Sequence, residues 1–230
     1  MNNKVNKNEL EELKKILTKY SHAYTKEEKE YIRKNFNWIK YNHRYNYILR
    51  EIYDELGMIN EENNLYLGFT NLIDEIFGIN RKIVEIGGGI IPSLSKHIAL
   101  KQKHGKITVF DPRLAITETN ISNLKLIREK FIKEKAPQNK ELYIGLQPYG
   151  GTKAIIETAC KTNTDFIIVL GELGIEKNSF IDYYEYDIEQ QHLIYDAKNL
   201  VRDSKLGSLE ITDLDRYGSS YPVIYNKRMK

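Results

Sequence analysis

The segment KIVEIGGGIIPSLS, Lys82–Ser95, decides the fold of this chain. A short apolar run with β-branched residues ends at three glycines, Gly87 to Gly89, and Pro92 follows three residues later. Such a run is typical of a buried strand, and proline suits the first turn of a helix, where its missing N–H costs nothing. Glycines allow backbone N–H groups to approach a ligand closely. The segment therefore predicts a strand, a glycine turn and a helix, which together form the usual ligand crevice of an open parallel sheet.

The residues after this segment repeat the same alternation of strands and helices. Further strands of the same type are predicted at Ile107–Phe110, Leu142–Leu146 and Phe166–Leu170. Helical stretches are predicted at Ser93–Lys103, Ile116–Glu134, Thr152–Lys161 and Phe180–Arg202, and two more strands at Ser208–Leu214 and Tyr221–Lys227. Apolar strands that alternate with helices predict an α/β fold: a Rossmann-like parallel sheet with helices on both faces, over residues 79–230.

Residues 1–78 are predicted to form a helical domain. Apolar residues recur at helical spacing in Asn8–Lys19, in a second helix from Thr25 toward Leu56, and in Thr70–Phe77. No strand-like alternation interrupts them. We expect this domain to act as a lid over the carboxyl edge of the sheet, because a reactive donor is best shielded from water.

The composition is that of an ordinary globular protein. Lys and Arg number 35 against 32 Asp and Glu, a net charge of +3 that is spread along the chain, whereas nucleic-acid binding usually needs a basic stripe. The one cysteine, Cys160, allows no internal disulfide, which fits a reducing cytoplasm. The polar N-terminus is unlike a secretory signal, and no apolar run reaches the roughly 20 residues that cross a bilayer. We expect a cytoplasmic protein without nucleic-acid or membrane partners, and leave a homodimer open.

The glycine turn and its acidic neighbours indicate the ligand. A dinucleotide site needs a third glycine where this chain has Pro92, which disfavours NAD. A class I S-adenosylmethionine site needs an acid in the first strand, glycines at the turn and an acid ending the next strand, where a carboxylate accepts two hydrogen bonds from the ribose diol. The predicted donor-binding residues are Glu85, Gly87, Gly88, Gly89, Asp111, Pro112, Gln147 (against the adenine) and Gly171.

Residues 81–170 resemble the class I S-adenosylmethionine-dependent methyltransferase superfamily. Within it the chain looks more like the nicotianamine synthase and opine-metallophore synthase branch, whose turn reads G-x-G-x-x-P. Gly87, Gly89 and Pro92 match this turn, and Ser95 is also similar. Three other segments are similar to that branch: LGFTNLIDEIFG (Leu67–Gly78), LGELGIEK (Leu170–Lys177) and YGSSYPVIY (Tyr217–Tyr225).

The resemblance implies a transferase whose donor substrate is S-adenosylmethionine and whose acceptor is a small-molecule amine. The 3-amino-3-carboxypropyl (aminobutanoyl) arm would pass to the amine, and methylthioadenosine would leave. Three alternatives stay open: methyl transfer to a small molecule, intramolecular closure to azetidine-2-carboxylate, and a non-catalytic binding module. The absence of a Pro-Pro motif in GELG, after the fourth predicted strand, argues against methylation of nucleic-acid bases.

An attacking amine must lose a proton, so the predicted catalytic residues are acids. The resemblance places a substrate-contacting acid just before the first strand, where Asp74 and Glu75 lie, and Glu172 follows the fourth predicted strand. Their structural alternative is a set of solvated acids.

Aromatic residues are the predicted substrate contacts. Tyr41 and Tyr45 share a helix face with Trp38 and could stabilise a sulfonium, although such a stripe is more often packing. Tyr149 is a third candidate. The histidines show no metal-ligand spacing with one another or with Cys160, so no metal site is predicted.

Overall fold

The structure is a computed structural model that describes Lys26 and residues 65–89, 92–114, 117–132, 141–148, 151–170, 180–216 and 219–227. Within these residues the chain forms four helices and seven strands. In chain order they are α1 (Leu65–Phe77), β1 (Lys82–Ile86), α2 (Ser93–Lys101), β2 (Lys106–Phe110), β3 (Leu124–Ile127), β4 (Leu142–Leu146), α3 (Thr152–Thr162), β5 (Asp165–Val169), α4 (Phe180–Arg202), β6 (Ser208–Arg216) and β7 (Ser219–Lys227).

All seven strands belong to one sheet, in the order β3-β2-β1-β4-β5-β7-β6. Strands β1 to β5 are parallel, and β7 runs antiparallel to both β5 and β6. The register pairs Val84 with Thr108 on β2 and with Tyr143 on β4. The strand order reverses between β1 and β4, and the carboxyl ends of strands at such a switch point form the ligand crevice of open α/β sheets.

Helices cover both faces of this sheet, as predicted. Side chains alternate across each strand, so Ile83 and Val84 of β1 belong to opposite cores. One core contains α1 and α2, with Phe69 and Ile73 fully buried. The other core contains α3 and α4, with Ile155 fully buried against strand residues such as Phe166, Ile168 and Ile224. The predicted Rossmann-like fold is confirmed.

The helix predicted over Ile116–Glu134 is wrong. The structure has β3 at Leu124–Ile127, paired in parallel with β2, in the middle of that range. Leu124 and Leu126 are buried while Lys125 between them is exposed, which is the two-residue period of a half-buried edge strand. The same apolar residues also fit a helical period, and a four-residue strand leaves too short a pattern to separate the two.

This strand changes the numbering of those that follow. The segment LGELGIEK follows β5, the fifth strand, whereas β4 is followed by Gln147 and Pro148. The argument against base methylation that relied on GELG as the segment after the fourth strand therefore fails.

The predicted helical lid lies largely outside the described residues. From residues 1–78 the structure describes only Lys26, which is helical and exposed, and residues 65–78, which contain α1. Helix α1 begins at Leu65, five residues before the predicted start, and its buried side packs on the sheet beside α2. No helix in the described part of the chain is long and apolar enough to span a membrane.

Candidate functional site

The glycine turn joins β1 to α2 at the carboxyl edge of the sheet. Gly87 and Gly89 have φ of +81° and +76°, values that side chains on L residues rarely adopt. The Gly87 N–H donates to the Phe110 carbonyl at 2.9 Å, which ties the turn to the end of β2. A β-carbon on Gly88 would overlap the side chain of Val109. Glycine is therefore required at three successive positions of the turn.

Asp111 follows β2 and faces this turn. Its side chain is 2% exposed, and its Oδ2 accepts the Gly89 N–H at 3.0 Å. The backbone N–H of Arg113 donates to Oδ1 at 2.7 Å. The Arg113 guanidinium adds bonds from Nε to Oδ1 at 3.3 Å and from Nη2 to Oδ2 at 3.2 Å. Asp111 therefore lies beside the glycine turn, as expected for an acid that follows the second strand.

Glu85 lies on β1 beneath the turn. It is 2% exposed, and its Oε2 accepts a hydrogen bond from the Ser95 hydroxyl in the first turn of α2. Burial raises the pKa of Glu85 to about 7; the Ser95 hydrogen bond opposes that rise and the negative charge of Asp111 adds to it. Two buried carboxyl groups thus lie close together at one glycine turn, an arrangement that favours a cationic ligand.

Pro92 and Ser95 connect the turn to α2. Pro92 is buried and immediately precedes the helix, and its carbonyl accepts the Lys96 N–H at 3.0 Å as the first helical bond. Helix boundaries vary by a residue or two, so the predicted start at Pro92 agrees with the observed start at Ser93. Ser95 then lies in the first turn of the helix, where its hydroxyl donates a hydrogen bond to Glu85.

Gln147 lies at the end of β4, on the other side of β1 from Asp111. Its φ is +49°, an uncommon value for a residue with a side chain, and its N–H donates to the Val169 carbonyl at 2.9 Å. The side-chain Nε2 atom is buried and has no hydrogen-bond partner among the described residues. A strained backbone together with an unsatisfied buried amide is typical of a ligand site.

The structure does not bring Asp74 and Glu75 to this site. Helix α1 ends at Phe77 and β1 begins at Lys82, so both acids lie at the amino edge, the opposite edge from the glycine turn. Asp74 accepts the Ile79 N–H at 2.9 Å and forms an ion pair with Lys101 at 3.0 Å. These contacts stabilise the end of α1 and the start of the segment that leads to β1. Asp74 therefore has a structural role here rather than the predicted catalytic one.

Glu75 is exposed at the same amino edge. Its negative charge acts on the phenol of Tyr225 on β7. Burial raises the pKa of Tyr225, and the charges of Glu210 and Glu75 add to the rise.

Five other predicted site residues lie outside the described residues: Gly171, Glu172, Tyr41, Tyr45 and Tyr149. Pro112 is described, is exposed and lies between Asp111 and Arg113. Within the described part of the chain, no group of three or more His, Cys, Asp or Glu side chains could hold a metal ion.

Two residues that contact the site, Ser95 and Arg113, are not among the site residues predicted from the sequence. Ser95 was noted only as part of a motif, and its bond to Glu85 depends on the helix placing it over β1. Arg113 was not singled out, although an Asp followed two residues later by a backbone N–H donor is a common local turn. The sequence could have suggested that turn, but the guanidinium contact depends on the side-chain conformation.

Comparison with known proteins supports the fold. No protein-family model and no curated protein sequence matches the chain. Among solved structures, the METTL16 methyltransferase domain is similar at 11% identity and a TM-score of 0.54, covering 95% of this chain and 93% of that one. Magnesium protoporphyrin IX methyltransferase from Synechocystis PCC 6803, solved with bound SAH, is similar at 10% identity and a TM-score of 0.50, covering 80% and 100%.

The pyocyanin biosynthetic protein PhzM matches at 11% identity and a TM-score of 0.49, over 84% of this chain but only 61% of its own length. The chain therefore spans less than two thirds of that relative. At these identities the comparison concerns the fold alone. The chain has the fold of the class I S-adenosylmethionine-dependent methyltransferases.

Proposed function

We propose that this protein binds S-adenosylmethionine at the carboxyl edge of the sheet and acts as a transferase on a small molecule. One observation carries the proposal: the buried carboxylate of Asp111 faces the N–H of Gly89 across the glycine turn at 3.0 Å, with Glu85 buried beneath. A carboxylate at the end of β2 suits a ribose diol, and a second acid under the turn suits the positive charge of the donor.

The strand order suggests how the donor is oriented. Asp111 ends β2 and Gln147 follows β4, so the two residues lie on either side of β1. With the ribose at Asp111, a ligand that crosses the glycine turn directs its sulfonium end toward Gln147. This orientation changes the proposed role of Gln147 from adenine contact to contact with the reacting end or the acceptor. Tyr149 follows in the same segment and is proposed to contact the acceptor.

The proposed reaction is transfer of the aminocarboxypropyl arm, as in nicotianamine synthases. An amine nitrogen attacks the arm carbon bound to sulfur, the new C–N bond replaces the C–S bond, and the electron pair leaves with methylthioadenosine. The amine must lose one proton for a neutral product, which requires a base. The turn formed by Gly87, Gly89 and Pro92 supports this branch, and so does the sequence similarity at Ser95. Catalysis in such a site is largely alignment of nucleophile and carbon.

The base is proposed to be Glu172, because Asp74 and Glu75 lie at the other edge of the sheet. Glu172 follows β5 by three residues, and β5 is next to β4 in the sheet. Tyr41 and Tyr45 remain proposed contacts from the N-terminal part of the chain, which the sequence predicts to be helical. A small-molecule acceptor, a cytoplasmic location and the absence of nucleic-acid partners remain predictions, and a homodimer stays open.

Product analysis separates the reactions. The protein is incubated with S-adenosylmethionine and a mixture of small amines, in parallel with a short RNA, and the products are resolved by mass spectrometry. Methylthioadenosine with an enlarged amine supports arm transfer, and methylthioadenosine with azetidine-2-carboxylate supports cyclisation. S-adenosylhomocysteine indicates methyl transfer and removes the nicotianamine synthase proposal. Binding without any product favours the non-catalytic module, and absence of binding removes the donor site altogether.

A further inference from the structure

The hydrogen bonds to Asp111 use all the positions at which a carboxylate accepts well. An ionised carboxylate offers about four lone-pair sites on its two oxygens. Two are taken by backbone N–H groups, from Gly89 at 3.0 Å and from Arg113 at 2.7 Å. The other two are taken by the Arg113 guanidinium, one on each oxygen, at 3.3 Å and 3.2 Å.

A ribose diol would need the same two positions. The backbone bonds belong to the turn and to the loop after β2, so they persist when a ligand binds. The guanidinium bonds are the exchangeable pair, because the Arg113 side chain is 46% exposed whereas Asp111 is 2% exposed. A planar guanidinium presents two parallel N–H donors, and two adjacent hydroxyl groups present two donors at a similar separation.

We infer that Arg113 competes with the ligand at this site: its guanidinium holds both oxygens of Asp111 and is exchanged for the vicinal diol of the ligand. The inference rests on the proposed donor site and concerns what the ligand must displace there. A ligand with two adjacent hydroxyl groups replaces both guanidinium bonds. A ligand that lacks one hydroxyl group leaves one Asp111 oxygen without its bond. Arg113 therefore lowers the affinity of every ligand that displaces it, including those that have a diol.

Calorimetry with 5′-methylthioadenosine tests the exchange. This ligand has the diol but no sulfonium charge, so simple repulsion between the donor and Arg113 does not enter. Arg113→Ala should bind it about two- to fivefold more tightly than the unaltered protein, the range that an exposed ion pair is worth. Arg113→Lys keeps the positive charge but has only a compact ammonium group in place of the planar fork, so its gain should be smaller.

The matched control is Arg202→Ala. Arg202 is an exposed arginine paired with Asp203 at 3.0 Å, and it ends α4 at the amino edge of the sheet. Its removal should leave the affinity unchanged. A gain that also appears in Arg202→Ala would reflect net charge and overturn the inference, as would unchanged or weaker binding by Arg113→Ala.

A second measurement needs no variant. The Nε–H signal of Arg113 in a ¹⁵N spectrum, assigned by its loss in Arg113→Ala, should shift when methylthioadenosine saturates the protein, while the Arg202 signal stays in place. If the Arg113 signal does not shift when the protein is saturated with methylthioadenosine, the inferred exchange is wrong, whereas the proposed function is unaffected. If the unaltered protein binds neither S-adenosylmethionine nor methylthioadenosine, the proposed function fails, and this inference fails with it.

Discussion

Gly87 and Pro148 are in direct contact across the switch point of the sheet. A β-carbon on Gly87 would lie 3.0 Å from the Pro148 Cα and 3.1 Å from its Cβ. The ends of β1 and β4 therefore meet at the crevice with no room for a side chain between them. Any change at Gly87 displaces Pro148 and, with it, Gln147.

Gly87→Ala tests this contact. The substitution adds a clash to an unfavourable backbone conformation, since the φ of Gly87 is +81°. We expect the free energy of unfolding to fall by about 2–5 kcal/mol, from left-handed backbone strain of about 1–2 kcal/mol and overpacking of about 1–3 kcal/mol. Denaturant unfolding measures the stability, and calorimetry with S-adenosylmethionine should show weaker binding in the folded variant.

Gly78→Ala is the matched control for backbone strain. Gly78 has a φ of +75°, but nothing lies within 4 Å of the position a β-carbon would take. Its cost should be limited to the backbone strain of about 1–2 kcal/mol, with ligand affinity unchanged. Equal effects of the two substitutions on stability and on binding would mean that the Pro148 contact has no part in the site.

Asp111→Ala should weaken donor binding. Loss of one charged acceptor from a ribose contact costs about 1.5–3 kcal/mol, or roughly tenfold to more than a hundredfold in affinity. Asp203→Ala removes an exposed acid at the other edge of the sheet and should leave the affinity unchanged. Unaltered affinity in a folded Asp111→Ala variant would remove Asp111 from the site. Tighter binding of NAD than of either adenosyl ligand would contradict the whole assignment.

Glu85 makes stability depend on pH near neutrality. Its folded pKa of about 7 lies above the ordinary value of 4.5, so the folded protein holds a proton that the unfolded chain has released. The stabilisation is complete below pH 4.5 and is lost as pH rises through about 7. Between pH 5 and pH 8 we expect a loss of the order of 2–3 kcal/mol that is absent in Glu85→Gln.

Denaturant unfolding of both proteins at the two pH values measures this difference. Glu210→Gln, a change of an exposed glutamate, should keep the pH dependence of the unaltered protein. Parallel pH profiles for Glu85→Gln and the unaltered protein would assign the dependence to another group.

The pH dependence of donor binding is a second test of Glu85, because the donor is a cation. S-adenosylmethionine should bind more tightly as Glu85 ionises between pH 6 and pH 8, because the ionised carboxylate attracts its positive charge. Neutral methylthioadenosine lacks that attraction, so its affinity should not rise over the same range. If calorimetry shows the same pH dependence for both ligands, Glu85 does not interact with the charge of the donor.

The acids at the amino edge should matter for stability and leave turnover unchanged. Asp74→Ala removes the acceptor for the Ile79 N–H and the partner of Lys101, which should lower stability by about 1 kcal/mol. Asp74→Asn and Glu75→Gln should leave methylthioadenosine release unchanged. Glu172→Gln should slow it by roughly 10²–10⁴ with donor binding retained. A large loss of turnover in Asp74→Asn would restore the original assignment of the base.

The sequence by itself determined the strand, turn and helix of Lys82–Ser95, because this information is local. Three glycines after a β-branched apolar run, followed by a proline, can form few other structures. The sequence also identified Asp111, the acid that follows the next strand, because parallel strands bring their carboxyl ends to one edge. The predicted bounds of most other elements agree with the structure to within a few residues.

Tertiary structure decided the features that depend on which strands pair and on which edge of the sheet a residue lies. Strand β3 is short, and only its pairing with β2 separates a strand from a helix at Leu124–Ile127. Asp74 precedes β1 in sequence, yet a helix that leads into a strand ends at the amino edge, and the ligand crevice lies at the other edge. The contacts of Ser95 with Glu85 and of Arg113 with Asp111 depend on side chains from different elements meeting in space. A linear pattern shows which residues are available to a site, and only the folded sheet determines which of them are close enough to act together.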